Sequence, residues 1–101
     1  MKMLMIVSRS SLLDDLLRVL AELGVNASTH LPEVHGRGEA GSALGTFAHP
    51  GSNSVVLAAV DDTAAERVGA ELRAFHDRNA ARQRGAQIPF RVFVLPCTQV
   101  V

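Results

Sequence analysis

The chain has 101 residues; 48% are hydrophobic but only 4% are aromatic, and 10 basic residues balance 10 acidic ones. This length predicts a single domain, residues 1–101. The low share of aromatic residues predicts that its core is aliphatic. Balanced charge and few aromatic rings argue against nucleic-acid binding, because that function needs a positive field and stacking platforms.

The first predicted strand is the apolar run Met3–Val7, which is too short for a signal-peptide core or a membrane span. Ser10 or Ser11 is expected to cap the helix that follows. The leucines of this helix form an apolar stripe with helical spacing, and the helix is predicted to stop at Gly24. The stripe consists of Leu12, Leu13, Leu16, Leu17, Leu20 and Leu23.

Val25–Val34 reads as a second strand, in which Pro32 favours an edge position because proline cannot donate to a ladder. The third predicted strand is Ser54–Val60. The next residues are expected to cap a second helix, with Thr63 and Glu66 spaced as a capping box; the capping residues are Asp61, Asp62 and Thr63. The apolar stripe of that helix is Val68, Leu72 and Phe75.

This second helix is expected to give way at Asp77 to a polar, basic connection that runs to Pro89. The last predicted strand is Phe90–Pro96. The order β-α-β, loop, β-α-β predicts an α+β, ferredoxin-like sandwich with four antiparallel strands and two helices on one face. Because these strands are apolar on both faces, we expect an oligomer that packs sheet against sheet.

Two stretches resemble the PII signal-transduction family. "GVNASTHLPEVHGRGEAGS" is similar to the place where the family's first helix ends at a glycine and a T-x-x-x-E-V strand leads into G-x-G. "RVFVLPCTQVV" resembles the family's K-I-F-V-L-P, with Arg91 in place of lysine. The matching positions of the first stretch are Gly24, Thr29, Glu33, Val34, Gly36 and Gly38.

This resemblance implies a homotrimer with inward-facing sheets, clefts between subunits that bind an adenine nucleotide, and a T-loop that contacts a partner protein. The T-loop corresponds to residues 39–53. We therefore expect a cytoplasmic regulatory protein, with no enzymatic activity and no membrane insertion, that senses a small anionic metabolite. Its partner would be a transporter or an enzyme.

The departures from the family concern phosphate binding and modification. "RGAQIPFR" stands where nucleotide-binding members have the B-loop T-G-K-x-G-D-G-K, so only Gly85 and the final base match. Glu39 replaces a basic residue, and the family's C-terminal R-x-R has no counterpart. The chain has no tyrosine, which excludes uridylylation of a T-loop tyrosine. The loop pattern G-T-x-A-x-P-G-x-N resembles short PII-like proteins rather than direct nitrogen sensors.

Six residues are predicted to bind the ligand: Thr29, Gly36, Arg37, Gly38, Arg84 and Arg91. Gly36 and Gly38 could instead be positive-φ positions that bend the strand into the loop. Arg91 could instead pair with Glu33 or Asp77, and Arg37 and Arg84 could be solvated. For contact with a partner the sequence indicates Phe47, His49, Pro50 and Asn53, which could equally form a self-packed turn.

Two other functions remain open. The first is a trimeric, CutA-like metal-binding or metal-tolerance protein, suggested by His30, His35, His49 and His76, although no pair has the i, i+4 spacing of a helical metal site. The second is an interaction module that has lost its ligand. Cys97 excludes an intramolecular disulfide and fits a reducing compartment, as either a small apolar residue or a redox sensor.

Overall fold

The computed structural model describes residues 1–38, 41–42, 52–82 and 89–101. A short 3₁₀ turn, Ser10–Leu12, separates the first strand from the first helix. In chain order the elements are β1 (Lys2–Arg9), α1 (Leu13–Glu22), β2 (Thr29–Val34), β3 (Arg37–Gly38), β4 (Gly41–Ser42), β5 (Asn53–Val60), α2 (Asp62–Arg82) and β6 (Phe90–Pro96).

Four strands form one sheet in the order β2-β5-β1-β6, and β3 and β4 form a separate two-stranded pair. Every pairing in the larger sheet is antiparallel, and Met5 of β1 lies opposite Leu57 on one side and Phe93 on the other. The predicted α+β architecture is confirmed. So is the edge position of Pro32, because β2 is the outer strand next to β5.

The core lies between the sheet and both helices. Alternate residues of β1 and β5 are fully buried, which places one face of the sheet beneath α1 and α2. The buried hydrophobic side chains form one cluster: Leu4, Ile6, Leu16, Leu20, Val25, Val56, Ala58, Ala65, Val68, Leu72, Phe75 and Phe90. This cluster is mostly aliphatic, as predicted, and two phenylalanine rings complete it with centroids 5.5 Å apart.

The opposite face, which we call the open sheet face, is apolar, and none of the described helices or strands covers it. Leu31 is 46% exposed and Phe93 is 50% exposed. The half-buried residues of the central strands on this face are Met3, Met5, Val7, Val55 and Leu57. A contiguous apolar surface of this kind marks an interaction site in a folded protein.

The second strand begins later than predicted, because the turn that ends α1 extends to Val25. Gly24 has φ 88°, as a C-terminal stop requires, and its backbone N–H donates to Ala21 at 3.0 Å. The N–H of Val25 donates to Leu20 at 2.8 Å, which completes a Schellman motif. Val25 therefore closes the helix and is buried against the core, and β2 begins only at Thr29.

The start of α2 confirms Asp61 as a capping residue but not the predicted capping box, and the other end lies beyond the predicted one. The carboxylate of Asp61 accepts a hydrogen bond from the N–H of Ala64 at 2.7 Å, so Asp61 is the N-cap and the spacing of Thr63 and Glu66 does not fit a capping box. The amino group of Met1, 2.9 Å from the Asp62 carboxylate, lowers the pKa of that carboxyl by hydrogen bonding and charge.

At its other end α2 continues past Asp77 to Arg82. Asn79 extends the buried stripe by one turn, and its amide donates to the Phe75 carbonyl at 2.9 Å. This hydrogen bond satisfies the polar side chain at its buried position on the helix.

Ser10 joins three strands instead of capping α1, for which no side-chain cap is formed. Its hydroxyl donates to the Pro32 carbonyl at 2.8 Å and lies 2.8 Å from the Ser52 hydroxyl. Its backbone N–H donates to Ser52 at 2.9 Å. We call Ser10, Pro32 and Ser52 the serine clasp; it holds β1, β2 and the entry to β5 together.

We expect Ser10→Ala to lower the free energy of unfolding by about 1 kcal/mol, because the two hydroxyl contacts of the clasp are lost. Ser11→Ala, a change at the exposed neighbour, is the matched control and should have a much smaller effect. Urea denaturation at fixed protein concentration measures both values. Equal losses in the two variants would show that the clasp does not stabilise the fold.

Candidate functional site

The predicted ligand residues lie on opposite edges of the sheet. Thr29 begins β2 and Gly36 follows it, whereas Arg91 lies in β6 at the other edge. Three interstrand steps separate these edges, a distance of roughly 14 Å. A single chain therefore does not bring Thr29 and Arg91 together, and a site that uses both needs a second copy.

The register places Thr29 and Arg91 on the same face of the sheet. Thr29 is level with Leu57, Met5 and Phe93 across the four strands, and Arg91 is level with Val7 and Val55 in the adjacent row. Both residues alternate with residues of the helix-covered face, so they belong to the open sheet face. Arg91 is exposed, and its Nη1 donates to the Phe90 carbonyl at 3.0 Å. Within the described residues it pairs with neither Glu33 nor Asp77.

Gly36 has no conformational or steric reason to be glycine within its own chain. Among the glycines that the structure describes, Gly24 has the positive φ, so the positive-φ alternative does not apply to Gly36. A Cβ at Gly36 would meet its nearest atom, the amide nitrogen of Asn53, at 3.9 Å, an ordinary contact. The backbone of Gly36 is exposed and open to close approach from outside the chain.

The backbone of Arg37 and Gly38 forms strand β3, which pairs with Gly41 and Ser42. The stretch predicted as a loop, 39–53, therefore begins with half of a short hairpin. It also ends in the sheet, because Asn53 is the first residue of β5. Four predicted residues lie outside the described part of the chain: Phe47, His49, Pro50 and Arg84.

Asn53 was predicted to contact a partner, and the structure places it at the base of the loop. It lies opposite Arg9 in β1 and Val34 in β2. Its side-chain Oδ1 is buried and has no hydrogen-bond partner among the residues that the structure describes. A buried acceptor without a donor is unfavourable, so a conformational change that brings a donor to this Oδ1 would be stabilising.

A groove runs between α2 and β6, and we call it the α2–β6 groove. Its volume is about 550 Å³, within the range of small-molecule sites. Its apolar side chains come from both elements, and two arginines and a histidine add positive or protonatable groups. The lining residues are Gly69, Ala70, Leu72, Arg73, His76, Phe90, Arg91, Val92 and Val94.

Arg91 is the member of this groove that the sequence predicted as a ligand residue. His76 was considered only as a metal ligand, and Gly69 and Arg73 were missed. Gly69, a glycine inside a helix, was the available signal, because glycine is unfavourable there unless space is needed. The tertiary structure determines which sheet edge lies beside α2. The sequence alone therefore does not indicate that Arg73 and Arg91 line the same groove.

The described residues do not support the metal hypothesis. They contain no group of three or more His, Cys, Asp or Glu side chains that could hold a metal ion. His30 contacts the hydroxyl of Ser28 at 2.6 Å, and His76 contacts Asp77 at 3.1 Å. Cys97 is a half-buried free thiol just after β6. None of the helices in the described part of the chain is long and apolar enough to cross a membrane.

Comparison with known families gives a match along the whole chain. The profile of the family described as nitrogen regulatory protein P-II covers residues 1–101. Among curated proteins, none is similar enough in sequence to count as a match.

Solved structures share the fold. One of CPII, a nitrogen regulatory PII-like protein from Thiomonas intermedia K12 bound to ADP, AMP and bicarbonate, has a TM-score of 0.70 at 18% identity, covering 93% of this chain and 88% of that one. A second structure of CPII with the same ligands has a TM-score of 0.66 at 23% identity, with coverage of 92% and 81%. A PII-like signalling protein from Thermus thermophilus has a TM-score of 0.56 at 19% identity, with coverage of 92% and 82%.

Proposed function

The chain belongs to the nitrogen regulatory protein P-II family, and we propose that it is a cytoplasmic PII-like regulator whose homotrimer binds an adenine nucleotide between subunits. Binding is signalled to a partner, a transporter or an enzyme, through residues 39–53. The observation that carries this proposal is the position of Thr29 and Gly36 on one sheet edge and of Arg91 on the other.

The open sheet face supports association between copies. Its exposed leucine and phenylalanine side chains would be removed from water by sheet-to-sheet packing, which is favourable at about 25 cal/mol per Å². A ring of copies joins different surfaces of neighbouring subunits, so the β2 edge of one copy can meet the β6 edge of the next. This arrangement would join the two separated halves of the ligand site.

The choice of an adenine nucleotide follows from the relatives and from the residues that remain. CPII, which shares this fold, is bound to ADP, AMP and bicarbonate. The open backbone at Gly36 suits close approach of a phosphate, and the guanidinium of Arg91 suits charge-assisted hydrogen bonds to it. The altered B-loop favours ligands with fewer phosphates, AMP or ADP, over ATP.

Signalling requires that the ligand bind one arrangement of the loop better than another. The loop leaves the sheet beside Gly36 and returns at Asn53, so both of its ends adjoin the proposed phosphate position. The serine clasp fixes the strands on either side, and the unpaired Oδ1 of Asn53 offers an acceptor that one loop arrangement can satisfy. Ligand binding thereby selects a loop arrangement, and the role is regulatory rather than catalytic.

We expect light scattering to give the mass of a trimer for the wild-type protein. Met5→Glu should yield monomers, because it places a charge in the centre of the open sheet face where burial is costly. Ala21→Glu, an exposed change on α1, is the control and should remain trimeric. A wild-type protein that stays monomeric at all accessible concentrations would contradict the proposed assembly.

We expect calorimetry to detect binding of AMP or ADP to the wild-type protein, tested with and without bicarbonate. Arg91→Gln should weaken binding about tenfold or more, because it removes a charged donor to phosphate. Arg78→Gln, an exposed change on α2 outside the α2–β6 groove, should leave affinity nearly unchanged. If the wild-type protein binds none of AMP, ADP and ATP, the nucleotide proposal is wrong and the bare interaction module becomes the better account.

A further inference from the structure

The structure assigns a second wall of the ligand site to helix α2: we propose that Arg73 binds the anionic group together with Arg91, while the base lies in the α2–β6 groove. This inference rests on the proposed function and extends it to residues outside the two stretches that resemble the family. The ligand class is a nucleoside mono- or diphosphate, an anion joined to a flat apolar ring.

Charge is the first support for this assignment. Arg73 and Arg91 line the groove from its two sides, and no carboxylate belongs to the lining formed by the described residues. Arg73 is exposed, and it has no ion pair within the part of the chain that the structure describes. Arg91 belongs to edge strand β6; although its side chain starts on the open sheet face, its guanidinium reaches the carbonyl of Phe90, which lines the groove. Two arginines beside one concave surface, with no carboxylate in its described lining, create a local positive field in a chain of zero net charge.

Open space above α2 is the second support. Gly69 lies in the interior of α2, where glycine is less favourable than alanine. A Cβ at Gly69 would meet no atom within 4 Å, so packing within the chain does not require glycine. Its effect is to deepen the groove beside Ala70, which also lines it. Glycine at this position lowers helix stability and leaves the space above it empty. A ligand that fills this space would explain why the helix has glycine there.

The apolar part of the groove suits a flat ring. Val94 is 49% exposed although it lies on the helix-covered side of the sheet, and the half-buried Val92 continues the same surface. The rings of His76 and Phe90 lie 6.0 Å apart with an interplanar angle of 32°, so an aromatic surface adjoins the arginines. An adenine ring with its phosphate directed toward Arg73 and Arg91 would use every chemical feature of the groove.

This wall also explains how phosphate binding can persist without the family's B-loop. That loop lies between α2 and β6 in the chain, and "RGAQIPFR" matches it only at Gly85 and Arg91. Arg73 lies on α2, a rigid element that precedes this connection. Its guanidinium can therefore replace a phosphate contact that the B-loop makes in nucleotide-binding members of the family.

The test measures binding of AMP and ADP by calorimetry to Arg73→Gln, Arg91→Gln and the control Arg78→Gln. We expect Arg73→Gln to weaken binding about tenfold, as Arg91→Gln does, because each removes a charged donor. If the wild-type protein binds but Arg73→Gln matches the Arg78→Gln control, the α2 wall is wrong and the proposed function stands. If the wild-type protein binds no nucleotide, the proposed function itself fails.

Gly69→Ala provides a second variant with opposite effects on stability and binding. It should raise Tm by about 4 °C, because alanine favours a helix interior, while the added methyl group in the groove weakens nucleotide binding severalfold. In NMR spectra, the backbone amide resonance of Gly69 should shift when AMP is added to the wild-type protein. A Gly69→Ala variant with higher Tm and unchanged affinity, together with an unshifted Gly69 amide, would overturn the assignment of the groove.

Discussion

Two helices cover one face of a four-stranded sheet, no described element covers the other, largely apolar face, and the rest of the structure depends on this difference. Leu4 and Ile6 alternate along β1 with Met3, Met5 and Val7, so the same strand supplies both the core and the open sheet face. One chain cannot bury both sets of side chains. In the proposed trimer, association of copies would bury the second set and would set which edges meet.

The separation of the ligand residues follows from that topology. β1 and β5 occupy the centre of the sheet, which leaves β2 and β6 as its two edges. Gly36 and the unpaired Oδ1 of Asn53 lie near the first edge, and Arg91 and the α2–β6 groove lie at the second. Each edge is chemically incomplete: one offers an open backbone and an unsatisfied acceptor, the other offers positive charge and an apolar cavity. The proposed ring of copies would combine them.

The sequence predicts what depends on local pattern. The leucine stripe, the stop at Gly24, the cap at Asp61 and the apolar strands follow from spacing and from the conformational preferences of single residues, and they agree with the structure. The errors occur where tertiary contacts decide. Ser10 bonds to β2 and to Ser52 instead of capping a helix, and α2 continues beyond its predicted end to a turn on which Asn79 is buried against the rest of the chain. Arg73 belongs to the groove only because α2 lies against β6.

The central claim, that each ligand site needs two chains, is tested most directly by mixing two variants. Gly36→Glu adds a repelling carboxylate at the β2 edge, and Arg91→Gln removes the charge at the β6 edge; each variant alone should bind nucleotide about tenfold or more weakly than the wild-type protein. After the two are refolded together in equal amounts, about a quarter of the sites should combine an intact β2 edge with an intact β6 edge, and calorimetry should recover that fraction of binding. Recovery of no sites in mixed trimers would show that both edges act within one chain and would contradict the account.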